Sequence, residues 1–426
     1  MDSASRTTSA KSPGQLKGGL LSWYAVCTTK TLKNDFIYFF SIFNEPLVLY
    51  RDKGSRAVCV KDFCPHRGAS FRGGEVNANE IICPYHGARF GFENGCNHSR
   101  IACQHIVDSS YAAYSKRTFL YQYPCLELDG YIFIYYSGKS ATDLLNYEKN
   151  QSLSSLLLES HGFNHSDYRY EEALLDFKCD WSRIVENHLD VLHIFWMHGQ
   201  TLPGNEVGRH SIARFAHQIE VNNEFMHIRY LHKHNPEDEF ISQIFIPPGR
   251  IIMFKGNLES ARYVQVLDHL PLSENRARVI VRHYRKFLKN QFLSSLTLFE
   301  PLQKRTFYKI FMEDYLVLRT QTFNHQMGYM HDDSIKLLSE DRFIKIYWEW
   351  YNKSILSERP WRINPLPTHV NPVHQDLLMV YPPENLCLVK RNNRIIRVIL
   401  LKRFLGVLIF TVILYFLFLL VRSSLV

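Results

Sequence analysis

Several things are scarce or absent in this chain of 426 residues. Its nine cysteines are odd in number and irregular in spacing (27, 59, 64, 83, 96, 103, 125, 179 and 387). That argues against a disulfide framework and for a reducing compartment. No Gly-rich dinucleotide fingerprint follows a strand-like run, so no nicotinamide or flavin site of the chain's own is expected. Residues 1–17 lack the apolar core of a secretory signal and read as a flexible Ser/Thr/Lys-rich tail. With Asp2 as their only acid but little arginine, a transit peptide is the lesser reading. No acidic residue follows Glu384.

That last absence explains the charge. Lys390, Arg391, Arg394, Arg397, Lys402, Arg403 and Arg422 supply +7 of the formal net +9, leaving +2 on the first 384 residues. The basic excess is local, and no nucleic-acid face is expected. Phe404–Val421 then runs eighteen residues without a charge, long enough for a membrane span. A buried soluble helix is the alternative, but one apolar on all faces behind a basic stem is less expected. The predicted organisation is a tail at 1–17, a first domain at 18–140 and a second at 141–355. A stiff linker and basic stem at 356–393, rich in proline from Pro360 to Pro383, leads to a C-terminal anchor at 394–426. By the positive-inside tendency the body stays on the cytoplasmic, or stromal-like, side of a single span.

What is present centres on Cys64-Pro65-His66 and Cys83-Pro84-Tyr85-His86. Each half pairs one thiolate with one imidazole, and sixteen intervening residues suffice for a hairpin that returns the chain to the same point. Two Cys and two His suit a [2Fe–2S] centre with thiolates on one iron and imidazoles on the other. Neutral imidazoles raise its potential, so it can accept and pass on one electron. Structural zinc is the competing reading, but zinc modules usually show Cys-x₂₋₄-Cys and His-x₃₋₅-His. Around these loops, Ser22–Val26, Phe39–Phe43, Leu47–Tyr50, Ala57–Val60, Ile81-Ile82 and Ile132–Tyr136 read as short strands of a small all-β domain. Residues 139–170 read as a polar boundary with a leucine cluster.

Trp23-Tyr24, the two ligand loops and Asp129-Gly130-Tyr131-Ile132 together resemble the Rieske domain of ring-hydroxylating and related oxygenases. The family often has Trp after the second His-Gly; this chain has Ala88.

A second constellation lies in 181–198, which reads as one amphipathic helix. Asn187, His188, Asp190, His193 and His198 crowd among Leu, Val, Ile, Phe and Trp. Buried histidines are often ordinary core residues. Five polar groups buried together are costly unless each is satisfied, and a metal satisfies several at once. Asn187, Asp190 and His193 share one helical face, whereas His193 and His198 reach one metal only if the helix bulges or ends between them. The pattern resembles the mononuclear-iron motif of Rieske oxygenases, Glu-Asn-x-x-Asp-x-x-His-x₄-His. On that resemblance His193 and His198 are iron ligands, and Asp190 links a ligand histidine to the cluster histidine of a neighbouring subunit.

A 2-His-1-carboxylate face needs a third ligand. Asp314 shares a helical stripe with Phe307, Ile310, Phe311 and Leu318, where an unpaired carboxylate needs a cation or proton. Glu313 points off that stripe and reads as solvated. Asp332, Asp333 and Asp341 are fallbacks, read as surface or cap residues. Alternating runs between Phe215 and Phe287 suggest an antiparallel sheet walling a largely hydrophobic pocket.

The resemblance implies an α+β chain: an all-β Rieske domain, then a helix-grip-type catalytic domain. It implies a [2Fe–2S] cluster held by Cys64, His66, Cys83 and His86, and mononuclear Fe(II) held by His193, His198 and Asp314. It further implies O₂, a large hydrophobic substrate, a ferredoxin or NAD(P)H-dependent reductase as donor, and a ring of subunits, expected as a homotrimer. Among membrane-anchored members it is similar to the chlorophyllide/pheophorbide oxygenase and sterol-desaturating groups; the former tend to carry a C-terminal Cys-x-x-Cys, where this chain has only Cys387. The alternative is a membrane-bound electron-transfer or redox-sensing protein without turnover.

Overall fold

The computed structural model describes residues 16–357, apart from 18, 78, 92–99, 106–118, 137–157, 159–160, 200, 202–214, 291–298, 328–335 and 356. It divides into one large unit, residues 1–289 with 303–366, and a second, 290–302 with 367–426. Most of the second lies outside the described residues, as do the N-terminal tail, the proline-rich linker and 404–421. Among the described residues no helix is long and apolar enough to cross a membrane.

The N-terminal half is all β. Strands β1 (Ser22–Thr28), β11 (Tyr131–Tyr136) and β10 (Cys125–Leu128) form a three-stranded sheet. An eight-stranded sheet runs in the order β2-β3-β4-β9-β8-β7-β6-β5. Here β2 is Tyr38–Ile42, β3 Glu45–Arg51, β4 Ala57–Lys61, β5 Glu75–Asn77, β6 Glu80–Ile82, β7 Arg89–Gly91, β8 Arg100–His105 and β9 Phe119–Tyr123. The β5–β6 hairpin, in register Glu75↔Ile82, brings the Cys83 loop back beside the Cys64 loop. Gly74 permits this, since a Cβ there would sit 2.3 Å from the Ile82 carbonyl oxygen.

The second half is built on a seven-stranded antiparallel sheet, order β12-β18-β17-β16-β15-β14-β13. Its strands are β12 (Arg169–Phe177), β13 (Phe215–Val221), β14 (Met226–His232), β15 (Asn235–Ile246), β16 (Arg250–Phe254), β17 (Tyr263–Ser273) and β18 (Arg276–Arg285). Alternation gives each face its own task. Ile244, Ile246, Ile252, Val264, Val266 and Ile280 pack against Trp23, Tyr131, Phe133 and Tyr135 of the first domain. Leu158, expected in a polar connection, is buried in this same core, its N–H held by Asp129. The buried Arg282 closes the junction, donating to the Gly130 carbonyl at 2.6 Å and lying 3.7 Å above the Tyr131 ring.

The opposite face carries the helices. These are α1 (Trp181–Leu189), α2 (His193–Met197), α3 (Phe299–Gln326) and α4 (Arg342–Ser354). Phe245 meets Tyr347 and Trp350 of α4, and His283 stacks on Phe307 of α3 with ring centres 3.6 Å apart.

The expected single helix over 181–198 is therefore corrected to two. Asp180 caps α1, accepting from the Ser182 N–H at 2.8 Å. The helix stops at Asp190, whose carboxylate takes the Leu192 N–H at 2.8 Å. A short acidic side chain that bonds the backbone two residues on competes with helix continuation.

Candidate metal centres

The two N-terminal loops are near copies. Cys64 N–H donates to the Ala69 carbonyl and Cys83 N–H to that of Ala88, both at 2.8 Å. Gly68 N–H returns to the Cys64 carbonyl at 2.8 Å, and Gly87 N–H to that of Cys83 at 3.0 Å. Both glycines have positive φ (75° and 67°), which closes each turn without a Cβ penalty. Each loop is thus Cys-Pro-x-x-Gly-Ala, with its histidine at the third or fourth position. Ala88, standing where the family often has Trp, is buried and occupies the place that Ala69 holds in the first loop.

Cys64 and Cys83 are buried and unbridged. Burial pushes the Cys64 thiol up to about 11, against the pull of the His66 and Arg67 backbone N–H groups. The His66 and His86 rings meet edge to face at 4.7 Å, and His86 Nδ1 is buried without a hydrogen-bond partner among the described residues. Asp62 pins the first loop by accepting from the Phe71 N–H at 2.6 Å and the Ser70 hydroxyl at 2.7 Å. Two thiols and two imidazoles at one tip are the donor set a [2Fe–2S] cluster with mixed ligands requires.

The second centre is assembled from distant segments. α2 begins at His193 and ends at Met197, leaving His198 at its C-cap with φ −102° and ψ 13°. The helix ends between the two histidines, which their five-residue spacing demanded. Asp314, buried on α3, places Oδ1 3.3 Å from His193 Nε2 and 3.1 Å from His198 Nε2. The three side chains offer ligand atoms all within 4.8 Å of one another.

Glu313 corrects the expectation of a solvated residue. It accepts from His198 Nδ1 at 2.7 Å and from the Thr201 hydroxyl at 2.5 Å. The helical stripe says which side of α3 meets its own core; it cannot say that the His198–Thr201 segment covers the flank. With its Nδ1–H donated to Glu313, His198 faces Asp314 with Nε2, which carries a lone pair when the ring is neutral and a hydrogen only when it is protonated. Either further protons or one divalent cation must reconcile these nitrogens with the carboxylate, and N₂O on one face fits a facial-triad metal. Burial would raise the proton affinity of Asp314, yet hydrogen bonds and charge from His193 and His198 outweigh it and hold the carboxyl well below the usual range. Burial pulls His198 down, but its bonds to Asp314 and Glu313 lift it above an ordinary imidazole.

The other expected site residues lie close by. Asp190 is half-buried with Oδ2 4.0 Å from His193 Nδ1, beyond hydrogen-bond length, and that nitrogen is otherwise without a partner among the described residues. Asn187 Oδ1 is likewise buried and unsatisfied. Of the fallback carboxylates, Asp341 accepts from the Leu338 N–H as a cap, and Asp332 and Asp333 lie outside the described residues. A cavity of about 320 Å³ opens on the helix-bearing side of the sheet, lined by Ile241, Met253, Tyr263 and Gln265 among others. Met253 and Gln265 stand in one cross-strand row with Gln243 and His283, and Gln243 donates to the His188 carbonyl at 2.8 Å.

Residues 22–109 match the model of the Rieske [2Fe-2S] domain, and residues 177–344 that of the vanillate O-demethylase oxygenase C-terminal domain. Chlorophyllide a oxygenase of Chlamydomonas reinhardtii is 26% identical over 200 residues, 46% of this chain and 27% of that protein. The vanillate O-demethylase oxygenase subunit of a Pseudomonas species is 25% identical over 186 residues, 44% of this chain and 47% of the relative. Cholesterol 7-desaturase of Caenorhabditis elegans is 27% identical over 183 residues, 42% and 39%. The matched stretch thus spans less than half the length of each of these relatives. Among solved structures, dicamba monooxygenase bound to dicamba superposes with a TM-score of 0.61 at 16% identity, covering 78% of this chain and 96% of that one. An oxygenase–ferredoxin complex of carbazole 1,9a-dioxygenase gives 0.57 at 16%, covering 79% and 90%. These two likenesses establish the fold.

Proposed function

We propose, from the premise that this chain belongs to the Rieske oxygenases, with a Rieske [2Fe–2S] domain followed by an oxygenase C-terminal domain, that it oxidises a large, apolar, cyclic substrate with O₂. Electrons come from a separate ferredoxin or reductase. A [2Fe–2S] cluster bound at the first centre would supply one electron at a time, and iron bound at the second would supply the chemistry of O₂ activation. The observation that carries this reading is the convergence of His193, His198 and Asp314 with Glu313 behind His198.

The chain's own residues have distinct tasks. Cys64, His66, Cys83 and His86 hold the cluster. His193, His198 and Asp314 would hold the iron. Glu313 fixes the His198 tautomer by holding the Nδ1 proton, so that Nε2 is the ligating nitrogen. Asp190 and Asn187 stand at the outer edge of the centre, where Asp190 can join His193 to a cluster histidine of the next subunit in a homotrimeric ring. Ile241 and Met253 give the cavity its apolar lining, which favours a hydrophobic substrate.

The charge-free run at 404–421, behind a basic stem, supports a C-terminal anchor in a membrane with the catalytic body on the cytoplasmic or stromal-like side. Removing 394–426 is expected to move the protein from the membrane pellet to the soluble fraction; a truncated chain that still pellets contradicts the anchor. Nothing in the comparisons supports a chain that only carries electrons or senses redox state.

The oxygenase reading is tested with the compound that accumulates in cells lacking this chain. Supplied with reductase, ferredoxin and ¹⁸O₂, the purified protein should consume oxygen only when the compound is present and convert it to an ¹⁸O-labelled or desaturated product. Oxygen uptake indifferent to the compound, with the compound unchanged, defeats it.

A further inference from the structure

His188 is more than nine-tenths buried and lies outside the three-residue metal group. Its Nδ1 stands 2.7 Å from His269 Nε2, and His269 Nδ1 stands 2.6 Å from the Gly249 carbonyl oxygen. A carbonyl can only accept, so His269 Nδ1 carries a proton. Burial pushes His269 down to about 4, so the ring is neutral and its Nε2 is a lone pair. His188 Nδ1 must therefore donate. Burial also holds His188 neutral, pushed down to about 3, which leaves its Nε2 as an acceptor. That atom is buried and has no hydrogen-bond partner among the described residues.

Gln243 repeats the pattern. Its Nε2 donates one of its two hydrogens to the His188 carbonyl, which fixes the amide with Oε1 at the other position, also buried and unpartnered among the described residues. Unmade bonds of this kind are costly, and both want the same thing, an N–H or O–H hydrogen. The triad offers none: Asp314 is a carboxylate, and the facing nitrogens of His193 and His198 are the ligand atoms. His188 is close enough to feel the charges of Asp314, His193 and His198. Gln243 shares its cross-strand row with Met253 and Gln265 of the cavity lining.

We propose that His188 Nε2 and Gln243 Oε1 form a pair of acceptors beside the metal centre, which selects a neutral substrate carrying a hydroxyl near the position to be oxidised over a carboxylate. This rests on the triad holding a metal, so the test separates the two claims. Co(II) is loaded into the full chain and counted. The binding of 2-naphthol, naphthalene and 2-naphthoate is then followed by the paramagnetic relaxation of their ring protons. 2-Naphthol should bind more tightly than naphthalene by about five- to tenfold, the ratio one hydrogen bond supplies, with 2-naphthoate weakest. His188→Phe should abolish most of that preference while still binding one Co(II) per chain. If that variant does not fold, Gln243→Met carries the same comparison. A naphthol preference unchanged in these variants, or 2-naphthoate binding as tightly as 2-naphthol, overturns the acceptor pair. Failure of the unaltered chain to take up Co(II) overturns the metal reading instead.

Discussion

The two centres are built on opposite plans. The first is local: the four side chains proposed to hold its cluster fall within Cys64–His86, on two loops that share one hydrogen-bond pattern. The second joins His193 and His198 to a carboxylate 116 residues beyond His198, and it exists only once α3 has docked on α1 and α2. That docking is itself polar as well as apolar. The Asp180 backbone N–H donates to the Thr322 hydroxyl at 3.1 Å, while Phe311, Tyr315 and Leu318 are buried on α3. A local site stands or falls with its loops. A dispersed one inherits the stability of the whole sheet-and-helix layer, and it recruits supports, such as Glu313, that no motif announces.

The largest effect that separates the plans is loss of the first centre. Cys64→Ser removes a thiolate and should abolish the visible cluster bands and all reductase-driven turnover. The second centre should still bind one Co(II), because none of its ligands touches the loop. Co(II) binding lost together with the cluster would mean that the centres are not independent.

Acid should distinguish them next. His269 and His283 are buried and neutral in the second domain, pushed down to about 4 and about 3. Unfolded, they titrate near the ordinary value of about 6.5. Their folded values lie below the unfolded one, so stability is complete above about pH 6.5 and falls as pH drops toward 4. Each histidine contributes a slope of up to about 1.4 kcal/mol per pH unit. Chemical unfolding at pH 7 and pH 5, followed by the tryptophans, should show the loss. His283→Gln should flatten it; equal slopes in both proteins would refute the assignment.

Glu313→Gln keeps the shape and removes the charge behind His198. Metal affinity of the second centre should fall about 10- to 100-fold with the cluster spectrum untouched. Thr201→Val removes the hydroxyl that steadies Glu313 and should cost less, about 1 kcal/mol or some fivefold in the same titration. The order of these two effects matters: a larger loss from Thr201 than from Glu313 would mean that the loop, not the carboxylate, organises His198.

Legibility in the sequence follows the same division. The Cys64 and Cys83 loops, their returning hairpin and the short strands around them could be read directly, because ligand identity and spacing act over a few residues. His193, His198 and Asp314 could be named from spacing, a helical stripe and resemblance. The break at Asp190 could not, because a side chain's choice between solvent and the Leu192 N–H depends on what packs nearby. The role of Glu313 is hidden for a related reason: periodicity orients α3 against its own core and is blind to the segment that crosses its flank. His269 gave no signal at all, since an isolated histidine in a β-strand becomes a partner for His188 only when β17 meets α1.

The claim that one polypeptide carries both a cluster and a separate mononuclear centre is tested most directly by counting iron. Protein purified with ferrous iron protected should hold the two irons of a [2Fe–2S] cluster plus one more per chain. His193→Ala should lose only the additional iron and keep the cluster's electron paramagnetic resonance unchanged. An unaltered protein that never exceeds the cluster's two irons, or a His193→Ala protein that retains the additional one, would contradict the account.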